Sequence, residues 1–304
     1  MSFRFSTLFV LSLVASISAF AKERPLSIVT TLPSLAWLVA EVGGARVAVE
    51  SLLRGTEDPH YVDALPSFVQ KIAQADAVCF VGMELEDAWL PKVIERAGNA
   101  KLHKGGTGHC NLGLWVQVMD KPQAGMDRSH GHIHGAGNPH WYLSLASLAE
   151  ASDGVVALLK GLKPQHRKEF LKNQMALKQK IRSELKRLRS RLPQDLRLLE
   201  YHQEFAYVLR DFGLQSKGSI EEIPGVPPSA AGLSRARTKI NQEMIEVILA
   251  TKAHSKKMLE AASTDSNARV IQIEPMPSLS LNPLEYNDFL AQELLATQQK
   301  DFVR

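Results

Sequence analysis

Cysteine is scarce: Cys79 and Cys110 are the only two in 304 residues. That excludes a scaffold built on disulfides. Cys79 lies in the apolar run ADAVCFVG, where a buried free thiol and a Cys79–Cys110 bridge both fit the pattern. Long apolar runs are missing as well. Ser6 to Phe20 is a short stretch of apolar and small residues behind Arg4, followed by Ala19-Phe20-Ala21 just before Lys22. A membrane-spanning helix needs roughly 20 residues, so residues 1–21 are expected to be an export signal, cleaved after about Ala21 at that small-x-small site. The mature chain is then expected in a bacterial periplasm. Excess charge is also small. The formal balance is +4, of which Arg4 supplies one unit, and it gives no reason to expect a nucleic-acid partner.

What remains after the leader is long enough for two domains rather than one. Four apolar, β-branched runs occupy the first half: LSIVTTL, ARVAVESLL, ADAVCFVG and the weaker NAKLHKG. Helical stretches such as Pro33 to Val42 and Ala64 to Ala73 separate them. The last third repeats the scheme with LRLLEYH, QSKGSIEEI, IEVILA and ARVIQIEPM. Such alternation predicts an α/β fold of two lobes, each a mainly parallel four-stranded sheet flanked by helices. Between the lobes, Phe170, Leu177, Ile181, Leu185, Leu188 and Leu192 recur at helical spacing. They predict one long rigid connecting helix over Pro164 to Leu192. Twelve of the 36 Lys and Arg residues lie between Lys160 and Arg191, against Glu169 and Glu184. A solvated outer face accounts for that run, and contact with anionic lipid or an acidic partner is the alternative. The expected division is 22–160 for the first lobe, 161–192 for the connecting helix and 193–304 for the second lobe.

Histidine carries the chemistry. His60 follows the ARVAVESLL run, His140 precedes a helical stretch, and His202 ends the strand that opens the second half. In open α/β sheets, ligands gather outside the carboxyl ends of the strands, so these three imidazoles are expected to meet between the lobes. Pro59 and Pro139 each fix the backbone just before a histidine. Neutral imidazole suits zinc. A loop from about Gln117 to Gly137 adds His130, His132 and His134, and a loop that long is either functional or disordered.

The motifs Asp58-Pro59-His60, Pro139-His140-Trp141-Tyr142-Leu143 and Tyr201-His202-Gln203-Glu204-Phe205, with Gly213-Leu214 following, occur in that order. With them the chain resembles the metal-binding, substrate-binding proteins of bacterial ABC transporters for zinc and manganese, the zinc-uptake subgroup in particular. The resemblance covers essentially the whole mature chain. It implies that His60, His140 and His202 are metal ligands. Glu285 is the first candidate for a fourth and Asp288 the second, both in LNPLEYNDFLAQEL. A nitrogen-rich shell suits zinc better than manganese, which favours oxygen donors. Zinc-uptake relatives often carry a His-rich loop, which gives His130, His132 and His134 a role in metal capture. The implied partners are an inner-membrane ABC permease and its cytoplasmic ATPase, and a monomer is expected. The stretch IPGVPPSAAGLSRARTKI departs from the family pattern.

A carrier rather than a catalyst is the expected function. The rival from another class is a zinc hydrolase, which three histidines and an open position would suit. No HExxH occurs, however, and Glu204, near His202 in sequence, is expected to be a helix residue rather than a general base. A periplasmic zinc chaperone serving another client is the third reading.

Overall fold

The computed structural model describes residues 23–121, 134–223 and 225–298. The expected export signal and the loop histidines His130 and His132 lie outside the described residues. In the first lobe the order is β1 (Leu26–Thr30), α1 (Pro33–Gly43), β2 (Val47–Ser51), α2 (Pro66–Gln74), β3 (Ala77–Phe80), α3 (Leu90–Ala97) and β4 (His109–Asn111). All four strands run parallel in the order β2-β1-β3-β4. Helices α1, α2 and α3 each open on a proline in the first turn, where the missing N–H costs no intrahelical bond.

The fourth strand is not where the sequence suggested. NAKLHKG instead holds a short 3-10 turn, Ala100–Leu102. Asn99 caps it by accepting from the Lys101 N–H, and its amide donates to the Ala75 carbonyl at 2.9 Å. These local side-chain bonds outcompete a ladder, and the edge strand forms later, around Cys110. There Cys110 stands opposite Cys79 in the parallel register. Both are buried free thiols, and the hydrogen bond to Cys110 together with burial pushes the Cys79 thiol well up.

The chain then enters α4 (Leu145–Leu162), a 3-10 turn at Pro164–His166, and α5 (Arg167–Arg191). The second lobe follows as β5 (Leu198–Glu200), α6 (Ala206–Phe212), β6 (Ser216–Ser219), α7 (Ala230–Gln242), β7 (Val247–Thr251), α8 (Lys256–Ser263), β8 (Arg269–Ile273) and α9 (Pro283–Gln298). Its sheet is again all parallel, ordered β6-β5-β7-β8. Glycine is required at the end of α6, where Gly213 takes φ +76° and closes the helix in the left-handed conformation.

With 25 residues, α5 spans about 37 Å at 1.5 Å per residue. Phe170, Leu177, Ile181 and Leu188 of the expected stripe are buried, and Leu185 is packed against the core at its edge. The helix packs on α1 and α4 of the first lobe and on α6 and α9 of the second. One apolar core therefore runs from β1 and α1 through α5 to Phe205, Leu249 and Leu290, while a smaller cluster covers the outer face of the second sheet. Among the described residues no helix is long and apolar enough to cross a membrane.

Candidate metal centre

His60, His140 and His202 line one cavity. The first two are held there by the same local device. The Asp58 Oδ1 accepts from both the backbone N–H and the ring Nδ1–H of His60, each at 2.9 Å. The Asn138 Oδ1 does the same for His140, at 3.0 Å from the backbone and 2.8 Å from the ring. An Asx side chain two residues ahead, with proline between, thus fixes backbone and ring together. Tryptophans pin both turns, since Trp89 donates to the Pro59 carbonyl and Trp141 to that of Val81. The third ring is oriented from another strand: Glu221, just past β6, accepts from the Nδ1–H of His202 at 2.9 Å. Glu221 is itself held by the Gly225 N–H at 2.8 Å.

With Nδ1 committed as a donor, each ring carries its lone pair on Nε2, the form that binds a metal. The rings surround a cavity of about 140 Å³ lined by His60, His140, His202, Glu204 and His254 among others. Ring centroids stand 5.2 Å apart for His60–His140 and for His140–His202, and 6.3 Å for His60–His202. Three imidazoles on one tetrahedral zinc, with Zn–N near 2.0–2.1 Å, would have centroids about 5.2 Å apart. Two of the three separations already match. Among the described residues no three donors form a closed coordination set, so the rings ring a cavity rather than a point.

The structure separates the remaining candidates. Glu285 is exposed, and its carboxylate accepts from the Asn282 N–H at 2.9 Å while Asn282 Oδ1 accepts from the Glu285 N–H at 3.2 Å. This is a reciprocal cap of α9, not a ligand. Asp288 is held by Arg187 and Arg191 of α5, and the Arg187 hydrogen bond keeps its carboxyl below the usual range. Neither lines the cavity, so both are withdrawn as fourth ligands. His134 is brought in: its ring lies 5.3 Å from that of His60, and the next residue is tied down by the Gly135 N–H donating to Glu84.

Three further residues face the cavity that the sequence did not single out for it. Glu221 and His254 had no motif to mark them. Glu204, expected to be a helix residue, instead precedes α6 and is buried at the cavity wall, which corrects that expectation. Burial and the nearby Glu200, Asp58 and Glu221 carboxylates raise its pKa well above the ordinary value. His254 stacks on Tyr201 at 4.4 Å, and its Nδ1 accepts from the Thr251 N–H at 3.1 Å. Its proton therefore sits on Nε2, and burial, with help from His202, lowers its pKa to about 4. It is a neutral donor rather than a ligand.

The chain is similar to known proteins over most of its length. Residues 28–298 match the family model described as zinc-uptake complex component A, periplasmic. The chain is 23% identical over 291 residues to the high-affinity zinc uptake system protein ZnuA of Yersinia pestis, covering 88% of each. It is 23% identical over 261 residues to the manganese ABC transporter substrate-binding lipoprotein PsaA of Streptococcus pneumoniae, covering 82% of this chain and 79% of that one. A crystal structure of ZnuA superposes with a TM-score of 0.73 at 20% identity, over 90% of this chain and 99% of that one. The substrate-binding protein FpvC of Pseudomonas aeruginosa, solved with Mn2+, does so at 0.71 and 20% identity, over 91% and 100%. The chain belongs to the family of periplasmic components of zinc-uptake complexes.

Proposed function

We propose that the protein is a periplasmic carrier that captures one Zn2+ ion between its lobes and hands it to an ABC-type permease driven by a cytoplasmic ATPase. The observation that carries this reading is the set of three imidazoles that line one cavity, each with Nδ1 bonded to a side-chain oxygen. Neutral nitrogen donors favour zinc over manganese. The family assignment supports transport, and the names of the relatives include both metals. The lobes are 22–160 and 193–304, joined through 161–192, with residues 1–21 as the export signal.

Binding needs little rearrangement. A cation entering the cavity replaces part of its water shell with Nε2 donors already aimed by Asp58, Asn138 and Glu221. Drawing His202 towards His60 closes the one separation that is too wide. His134, whose ring lies beside that of His60, passes an incoming ion to it. Ligands must be neutral imidazoles, so acid weakens binding.

Chelator-competition titration of the mature chain with Zn2+ and Mn2+ tests the proposal. One Zn2+ per chain is expected, bound about 100-fold or more tightly than Mn2+. Manganese bound as tightly as zinc would move the cargo to manganese, and turnover of an ester, peptide or phosphoester would replace the carrier with an enzyme.

A further inference from the structure

We infer that Glu204 supplies the fourth donor to the cation, completing a shell of three imidazole nitrogens and one carboxylate oxygen. The inference rests on the cavity being the metal site proposed above.

Its first support is an orphaned atom. Glu204 is buried, and its Oε1 has no hydrogen-bond partner among the described residues. Buried polar atoms in folded proteins are almost always satisfied, and in a cavity lined by histidines a bound cation is one way to satisfy an exception. Asp58 and Glu221, the other carboxylates on the cavity wall, are already engaged with His60 and His202.

The second support is that no Lys or Arg among the described residues is paired with Glu204. His254 Nδ1 lies 3.6 Å from Oε1, too far for a hydrogen bond. That nitrogen already accepts from the Thr251 N–H, so it presents a lone pair and no proton. A carboxylate buried this way is costly unless a cation pairs with it, and the cavity it lines is flanked by three oriented imidazoles. A divalent ion at their focus satisfies the orphaned oxygen and the charge at once.

Third, the chain's other acids near the expected position are spoken for. Glu285 caps α9 and Asp288 is paired with Arg187. The backbone places Glu204 two residues beyond His202, and its N–H donates to the His202 carbonyl at 2.7 Å. Ligand and carboxylate thus belong to one tight turn after β5.

Cobalt substitution reads the shell directly. The mature wild-type chain and its Glu204→Gln, Glu204→Asp and Glu285→Gln variants are loaded with Co2+, their visible absorption recorded, and Zn2+ affinity measured by chelator competition. The expected result is that Glu204→Gln weakens Zn2+ binding by about 100-fold or more and shifts the cobalt bands. Glu204→Asp recovers part of the affinity, and Glu285→Gln, at the exposed cap of α9, leaves the bands in place. Zinc-minus-apo infrared difference spectra of the wild type, which need no variant, should show the stretch of a newly coordinated carboxylate. Unchanged affinity and bands in Glu204→Gln, or bands that move in Glu285→Gln alone, would overturn the assignment, as would an infrared difference without a carboxylate signal. If the wild type takes up no Zn2+ or Co2+, the metal-site reading itself fails and this inference goes with it.

Discussion

Asn138 and His140 are joined twice through one oxygen, which accepts from the His140 backbone at 3.0 Å and from its ring at 2.8 Å. The amide nitrogen of Asn138 meanwhile donates to the Gln203 carbonyl at 2.8 Å, next to His202 in the other lobe. The same side chain therefore orients the His140 ring and ties down the turn that carries His202. Asn138→Ala should weaken Zn2+ binding about 10- to 100-fold, the range for losing an orienting partner. Asn138→Asp, which keeps an oxygen for His140 but loses the donor to Gln203, should retain more affinity. Chelator competition on both variants measures this; equal losses would show that the His140 contact is not what matters.

Tyr207 is the second tie between the lobes. Its hydroxyl donates to the Asn138 carbonyl at 2.8 Å and accepts from the Met119 N–H at 3.0 Å. Tyr207→Phe leaves both backbone groups without that partner in a buried setting, a cost of about 1–3 kcal/mol. Thermal unfolding of the metal-free protein should show a lowered midpoint with the apolar core otherwise intact. An unchanged midpoint would mean that water replaces the hydroxyl at no cost.

Much of the architecture was legible because it depends on periodicity. The leucine spacing of α5 and the β-branched runs of seven strands report burial along one chain segment, and that is visible locally. The edge strand β4 was misplaced since Asn99 offers the backbone a local alternative. The three histidines were legible through their motifs, but what orients them was only half so. Asp58 and Asn138 stand two residues ahead of their rings, a spacing the sequence displays. Glu221 reaches His202 from the next strand, and Glu204 is buried by packing that no local pattern announces. Glu285 was misassigned although Asn282-x-x-Glu285 already spelled a helix cap.

The pH dependence of stability has a buried source away from the cavity. Burial pushes Glu86 up to about 7 from 4.5, even though Thr31, Val81 and Gly82 all donate to it. Between those values the folded chain keeps a proton that the unfolded chain has released. Stability from this group therefore falls as pH rises from about 4.5 to about 7, then levels off. Glu86→Gln cannot ionise and lacks that slope, although it forfeits one of the accepted N–H bonds at every pH. Unfolding midpoints at pH 5 and pH 8 should differ more in the wild type than in the variant; parallel curves would contradict the assignment.

Continuity of the core through α5 restricts lobe motion. Phe170, Leu177 and Leu188 are buried between the lobes' helices, so a wide hinge opening would expose them to water. Small-angle scattering of metal-free and zinc-loaded protein should give closely similar radii of gyration. A large compaction on loading would show that the lobes part along that core.

The most direct test of the metal centre is zinc-edge X-ray absorption on the loaded wild-type chain, with the His60→Ala, His140→Ala and His202→Ala variants alongside. The account predicts three imidazole nitrogens at about 2.0–2.1 Å from one zinc, and one imidazole fewer in each variant. A wild-type shell with fewer than three imidazoles, or one that any of these substitutions leaves unchanged, would contradict it.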